Sequence, residues 1–494
     1  MQSLNDRSPR PPSRTGFPDL SQARGPLPGV RLKVSDRQRS WLLAGLLFTL
    51  YTALSVRTHH RMLTTGYDLG IFEQAVRSYA HGHLPVSEVK GSGFPLLGDH
   101  FSPVLALIAP VYRLWPTAET LLVVQSALLS VAVVPLMRRA SETGGRRAAV
   151  VVGVGYGASW GVAQTVGFDF HEVCFAVPLL AFSLCALSRG RALAAAAWAV
   201  PLLAVKEDLG LTVAVVGALL AFRGARRIGL WTCVVGVAGT AIEMALIIPA
   251  FNPGGAFSYA DKLPRRGSQD GVLLQAVDVL VGLVTPQQKV VTLLMLLAPT
   301  AFLAVRSPLI LVAVPTLLWR FASDDPAFWG TNYHYSAILM PVVFAAFADG
   351  LAPRRTDPRT ARQSLVASAA VTALLLPSAP LWHLAEPRTW RTEARLATAR
   401  DMLERIPDTA SVAASNRLVP QLTSRIDDVS VFGYPGRPTT AQWVLVDTAQ
   451  PQGWPIGPEE ERALLDDARS RGYRTLAEQD GYLLLIAPAS AEAR

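Results

Sequence analysis

Charged side chains are almost missing from long stretches between residues 40 and 382, and that scarcity excludes an ordinary soluble enzyme. Over 494 residues only 17% are Asp, Glu, Lys or Arg, whereas 50% are hydrophobic. Cysteine is equally thin. Cys174, Cys185 and Cys233 lie inside apolar runs without paired spacing, which argues against a disulfide framework or a thiolate zinc site. The chain also lacks a phosphate-binding Walker loop, a dinucleotide glycine fingerprint, a Gly-x-Ser-x-Gly elbow and a zinc-protease helix. Nucleotide-driven chemistry on the cytoplasmic side therefore has no support.

What is present is a succession of apolar runs approaching the ~20 residues that cross a bilayer as helix. We expect a polytopic α-helical membrane protein with about eleven spans. They fall near 40–57, 117–137, 148–166, 172–188, 191–205, 209–222, 228–250, 288–305, 308–321, 336–350 and 364–382. Residues 103–115, broken by Pro103 and Pro110, read as a re-entrant or interfacial piece. Residues 1–39, rich in Pro, Ser and Arg, read as a disordered cytoplasmic tail with no cleavable signal.

The net charge of +9 is not a nucleic-acid stripe, because the arginines sit in short loops between apolar runs. Those loops carry Arg138-Arg139, Arg146-Arg147, Arg189, Arg191, Arg223, Arg226-Arg227, Arg306, Arg354-Arg355, Arg359 and Arg362. The intervening loops hold Asp68, Asp99-His100, Asp169-Phe170-His171-Glu172, Lys206-Glu207-Asp208 and Asn332-Tyr333-His334-Tyr335. The positive-inside rule then sets the N-terminus inside and the C-terminus outside. Lys206 and the longer loop with Tyr259, Lys262 and Arg265-Arg266 depart from the partition, and that loop reads as a lid or a plain connector. The transmembrane domain is expected over 40–384, with a large outer loop at 58–102. Residues 385–494 alternate helix-like stretches (390–405, 458–471) with short apolar strands (411–414, 443–446, 482–486). They read as a small extracytoplasmic α/β domain.

Ionisable residues at membrane ends are costly to desolvate, so several on one face suggest a site. Asp68 either caps the following helix through a free backbone N–H or acts as a general base or metal ligand. Asp99 and His100 form a solvated turn or close over the same cavity. Asp169, His171 and Glu172 offer oxygen and nitrogen donors for a divalent ion such as Mg or Mn, although their spacing matches no closed metal motif. Lys206 either snorkels at the membrane edge or neutralises a phosphate. Tyr333 and Tyr335 suit an aromatic belt, and His334 a phosphate or sugar hydroxyl.

Four stretches carry a resemblance: Tyr67-Asp68-Leu69-Gly70-Ile71-Phe72-Glu73-Gln74, Gly98-Asp99-His100-Phe101-Ser102-Pro103, Gly167-Phe168-Asp169-Phe170-His171-Glu172 and Val205-Lys206-Glu207-Asp208. Together they resemble the bacterial membrane-protein family known as domain of unknown function 2079. The layout is more distantly similar to the GT-C superfamily of membrane glycosyltransferases, whose first outer loop carries an acid just after span one. That resemblance implies polyprenyl-phosphate sugar donors, with Asp68 as the base or beside it. Tyr67 stands where a second acid often sits in that superfamily.

The expected function is transfer of a sugar from a polyprenyl-phosphate donor to an extracytoplasmic glycan or protein acceptor at the cell membrane. Asp68 would be the base, and Lys206, His171, His334, Asp99, His100, Tyr67 and Glu73 would contact substrate. Asp169 and Glu172 would hold any metal. A transporter or flippase of a lipid-linked or polar solute, and a non-catalytic envelope-assembly protein, are the alternatives.

Overall fold

The computed structural model describes residues 35–259, 282, 285–434, 438–451 and 453–488. The expected N-terminal tail, apart from its last residues, and Lys262, Arg265 and Arg266 of the long loop lie outside the described residues.

Helix α1 (Asp36–His60) packs on the bundle with one face. Its 25 residues extend roughly 37 Å, enough to span a hydrocarbon core. It is pinned to its neighbours by Tyr51 Oη, which donates to the Gly157 carbonyl at 2.7 Å, and by Ser55 Oγ, which donates to the Val166 carbonyl at 2.7 Å. Both hydroxyls meet carbonyls inside the bundle, where an unpaired polar group would be costly.

Among the described residues three helical stretches are long and apolar enough to cross a membrane: Asp36–His60, Ala118–Gly157 and Arg226–Phe251. The second is a hairpin. Gly145 adopts φ +75°, a conformation that favours glycine. The chain folds back there, so that Gly153 packs on Met137 and Tyr156 donates to the Leu129 carbonyl at 2.7 Å. Two expected spans, 117–137 and 148–166, thus meet at one turn.

Other expected spans are shorter or broken, and eleven full-length crossings are not matched one to one. Proline is the physical cause, since it removes a helical donor and clashes with the preceding turn. The run 191–205 is an α-helix to Ala199 followed by a 3-10 turn containing Pro201. The run 308–321 starts as a 3-10 turn, Pro308–Ala313, before the helix Val314–Ala322. The run 288–305 breaks at Pro299, and Ala301 and Phe302 then take left-handed backbone. The helices Leu209–Phe222 and Arg226–Ile242 pack backbone to backbone. A Cβ on Gly217 would lie 2.5 Å from the Cys233 nitrogen, and one on Gly229 2.4 Å from the Ala221 nitrogen.

The arginine-bearing loops converge at one end of the bundle. Asp349, fully buried at the end of the helix Leu339–Gly350, sits among Arg139 (3.2 Å), Arg223 (4.0 Å), Arg354 (3.2 Å) and Arg355 (3.0 Å). Ser188 and Ser307 also donate to it, at 2.7 and 2.8 Å. This is the Asp36 end of α1, because Ser141 donates to the Asp36 carboxylate.

At the other end, the segment after α1 forms a wide turn at Gly66–Gly70, the helix α2 (Ile71–Ala80) and a small hairpin of β1 (Val86–Ser87) and β2 (Phe94–Pro95). Onto it docks a five-stranded sheet from the C-terminal part. Strands β3 (Val412–Ala414), β4 (Val429–Val431), β5 (Trp443–Asp447), β6 (Arg474–Gln479) and β7 (Tyr482–Ile486) lie in the order β4-β3-β5-β7-β6. β3 runs parallel to β4 and β5, whereas β7 is antiparallel to β5 and β6. Helices Ala394–Glu404 and Pro458–Ser470 accompany the sheet.

Docking is through backbone and charge. The Asn416 carbonyl accepts from Gly66 N at 2.7 Å, and its side-chain oxygen accepts from Tyr67 N at 2.8 Å. Arg77 reaches the Thr423 and Ile426 carbonyls and pairs with Asp427. Gly66 permits this approach: a Cβ there would lie 2.4 Å from Val419 Cγ1.

Candidate active-site cavity

At this sheet-bearing end a cavity of about 650 Å³ opens between the bundle, the first loop and the sheet domain. Asp68 lies in the wide turn Gly66–Gly70, whose extra residue per turn swings the carboxylate toward the cavity. It does not cap a helix. Its partner is His171 Nε2, 3.2 Å from Asp68 Oδ1.

His171 is held from several sides. Its backbone N–H donates to Gln125 Oε1 at 3.0 Å. Its ring stacks on His334, with centroids 3.3 Å apart and planes 21° apart, and the Phe168 ring lies nearly parallel beside both, 5.6 Å from His171 and 6.3 Å from His334. Burial, together with the neighbouring His171 and the charges of Lys206 and Arg320, lowers the His334 imidazole well below its usual range. Its Nδ1 has no hydrogen-bond partner among the described residues.

Asp169 stands directly behind Asp68 and is almost fully buried. Its carboxylate accepts from Thr65 N at 3.1 Å and from Thr65 Oγ1 at 2.7 Å, which ties the start of the Asp68 turn to the segment 167–172. Burial and the nearby Asp68 charge raise its carboxyl well above the ordinary range. It does not line the cavity.

A second group converges from the loop 205–208. Lys206 Nζ sits 2.8 Å from Glu172 Oε1. Burial alone would lower the ammonium, but Glu172, Glu207 and Asp208 together hold it above its usual value. Glu207 accepts from His100 Nδ1 at 2.7 Å and from Phe101 N at 3.2 Å, clamping the 98–101 loop. Burial would raise the Glu207 carboxyl, but His100 and Lys206 bring it below the ordinary range. Asp208 lacks so direct a partner, and burial pushes it up to about 6. Asp99 pairs with Lys90 at 3.1 Å; His100 and Lys90 outweigh its burial and hold its carboxyl low.

Of the residues expected in the site, the cavity wall contains Tyr67, Asp68, Asp99, His100, His171, Glu172, Lys206 and His334. Glu73 is elsewhere. It is fully buried on α2, accepting from Tyr112 Oη at 3.0 Å and from Thr423 Oγ1, and burial raises its carboxyl to about 7. The five-residue offset from Asp68 turns it into the seam between first loop and sheet domain. The expected metal pair is divided: Glu172 lines the cavity beside Lys206, whereas Asp169 lies behind the wall and accepts from Thr65. Among the described residues, no three His, Cys, Asp or Glu side chains are grouped to hold a metal.

Wall residues that were not anticipated include Lys90, Arg320, Asn416 and Trp454. Lys90 Nζ lies 5.3 Å from the Tyr67 ring centroid, and Tyr67 Oη meets Tyr434 Oη at 2.7 Å. The Trp454 ring packs edge-on to Tyr67, centroids 4.7 Å apart. Arg320 is buried, and its hydrogen bonds go to the carbonyls of Phe328, Gly330 and Tyr335 and to Ser336 Oγ. Among the described residues no carboxylate pairs with it, so its charge is left to the cavity. A signal existed in the sequence: arginine inside an apolar run is expensive and therefore informative.

The family of predicted membrane proteins designated DUF2079 matches residues 58–484 of this chain. No curated protein matches it significantly. Among solved structures, the chain is similar to ArnT from Cupriavidus metallidurans bound to undecaprenyl phosphate, with TM-score 0.54 and 13% identity over 92% of this chain and 99% of that one. The apo structure of the same protein gives TM-score 0.52 and 13% identity over 91% and 98%. At that identity the likeness shows a shared fold and nothing finer.

Proposed function

We propose, for a chain that belongs to the DUF2079 family of predicted membrane proteins, that the cavity around Asp68 transfers a sugar from a polyprenyl-phosphate donor to a hydroxyl acceptor. The observation that carries this reading is the convergence of Asp68, His171, Lys206 and Arg320 on one water-accessible cavity at an end of the bundle. The fold it shares with an ArnT structure bound to undecaprenyl phosphate supports the donor class.

In this reading Asp68 takes the proton of the acceptor hydroxyl while that oxygen attacks the anomeric carbon. The bond from that carbon to the phosphate oxygen breaks, its electron pair leaves with the polyprenyl phosphate, and the anomeric centre inverts. Charge builds on the departing phosphate, where a fixed cation is most effective. Arg320 is the better candidate for that role because Lys206 is already balanced by Glu172; Lys206 contributes as the donor displaces part of that pairing. His171 orients Asp68, and Asn416 and Trp454 give the sheet domain a hand in acceptor recognition.

The orientation follows from charge. The arginine cluster around Asp349 faces the cytoplasm, and the cavity and sheet domain face outward. A transporter would concentrate its ionisable groups near the midplane. Here they lie at one end of α1, roughly a helix length from the arginines, which favours chemistry at an interface.

The test is a cryo-electron-microscopy structure of the full-length protein with added polyprenyl phosphate. The reading expects phosphate density in the cavity within reach of Arg320 or Lys206, with the lipid tail leaving between helices. Density only outside the cavity would remove it.

A further inference from the structure

At the arginine-bearing end, away from the cavity, a groove of about 620 Å³ runs between the second arm of the Gly145 hairpin and the helix Pro358–Leu375. Its mouth carries Arg146, Arg147 and Arg362, all exposed and without a carboxylate partner among the described residues. Nearby acids are committed elsewhere: Glu142 pairs with Arg139 and Arg189, and Asp357 caps its own helix through the Arg359 and Thr360 amides.

The groove has a second property. Arg146 and Val150, and likewise Arg362 and Val366, are four residues apart and so share a helix face one turn from each other. On both walls the cation stands at the mouth and the valine one turn deeper. Val150 is 47% exposed and Val366 65% exposed, so the deeper part presents an apolar surface. Three uncompensated guanidinium groups above an apolar floor match one chemistry: an anionic head on acyl chains. Basic pockets between membrane helices are suited to such lipids.

We propose that this groove binds an anionic phospholipid, with the phosphate held by Arg146, Arg147 and Arg362 and an acyl chain lying along Val150 and Val366. A soluble anion would use the mouth and ignore the floor. This inference does not depend on the transferase reading, because no groove residue touches the cavity.

The test is native mass spectrometry of the full-length protein titrated with phosphatidylglycerol or with phosphatidylcholine of the same acyl chains. Each arginine near a lipid surface contributes about a fivefold gain, so a preference of tenfold to about a hundredfold for phosphatidylglycerol is expected. The triple substitution R146Q/R147Q/R362Q should erase it, and R146K/R147K/R362K should keep most of it. Val366→Trp should weaken phosphatidylglycerol without creating a preference for phosphatidylcholine. The lysine and Val366 variants test the groove even where the glutamine triple fails to fold. Equal binding of the two lipids by the wild type would overturn the proposal. So would a preference that survives in the glutamine triple, or displacement of the lipid by inorganic phosphate at comparable concentration.

Discussion

The imidazole of His171 lies 3.2 Å from the Asp68 carboxylate, linking a turn that follows the first helix to a segment more than a hundred residues later. Because His171 is itself locked by Gln125 and by the stacked His334 ring, it fixes where the carboxylate points. Substituting Phe for His171 should lower kcat about 10- to 100-fold and leave the donor KM within a few-fold, since orientation rather than binding is lost. His171→Gln, which can still donate to the carboxylate, should recover part of the rate. Equal losses in kcat and 1/KM, with no recovery by Gln, would contradict the positioning role.

Arg320 and Lys206 should behave differently although both are cations on one wall. Arg320→Lys preserves the charge and should keep polyprenyl-phosphate affinity within a few-fold, whereas Arg320→Gln should weaken it at least tenfold. Lys206→Gln leaves Glu172 buried without its partner, which should destabilise the protein by about 3–5 kcal/mol. Titration of tryptophan fluorescence with polyprenyl phosphate, alongside thermal melting, separates the two effects.

Glu73 gives a pH signature unrelated to turnover. Its carboxyl is raised from 4.5 to about 7 by burial, so between those values the folded chain binds a proton that the unfolded chain has released. Its contribution to stability is therefore fully present below about 4.5 and declines as pH rises toward 7, by about 3 kcal/mol in all. Glu73→Gln keeps a neutral group against Tyr112 and Thr423. It should flatten that part of the melting-temperature profile and melt above wild type near neutral pH. An unchanged slope would show that Glu73 is not the group responsible.

Asp349 should be the residue least tolerant of change at the other end. It pairs with Arg139, Arg223, Arg354 and Arg355, and Asn there leaves Arg223, Arg354 and Arg355 without that counter-charge while Arg139 keeps Glu142. Breaking a buried pair costs about 3–5 kcal/mol. The expected result is a clear fall in melting temperature and membrane yield, with donor affinity of the surviving protein unchanged.

The cavity was legible where charge interrupts apolar sequence. Asp68, Asp99, His100, His171, Glu172, Lys206 and His334 all fall in the loops between apolar runs, and all line one space. The alternation of arginine loops with acid-histidine loops likewise anticipated two unlike ends. Less was visible where contacts join distant segments. Asn416 and Trp454 reach the cavity from a domain more than three hundred residues from Asp68, and nothing local marks them. Strand β4 has only three residues, too few for its Val429-Ser430-Val431 alternation to stand out, and β6 is a polar edge strand without a buried face. The spans were hard to delimit for another reason: composition identifies apolar runs, whereas prolines such as Pro201, Pro299 and Pro308 decide which of them stay helical.

Turnover is the most direct test of the central claim. Full-length protein in proteoliposomes, supplied with a synthetic polyprenyl-phosphate sugar and a mixture of envelope glycans, should release free polyprenyl phosphate as the sugar moves to an acceptor. Asp68→Asn should fold, bind polyprenyl phosphate as wild type does, and lose about 100-fold or more of that release. Release by the Asn variant at the wild-type rate would contradict the account.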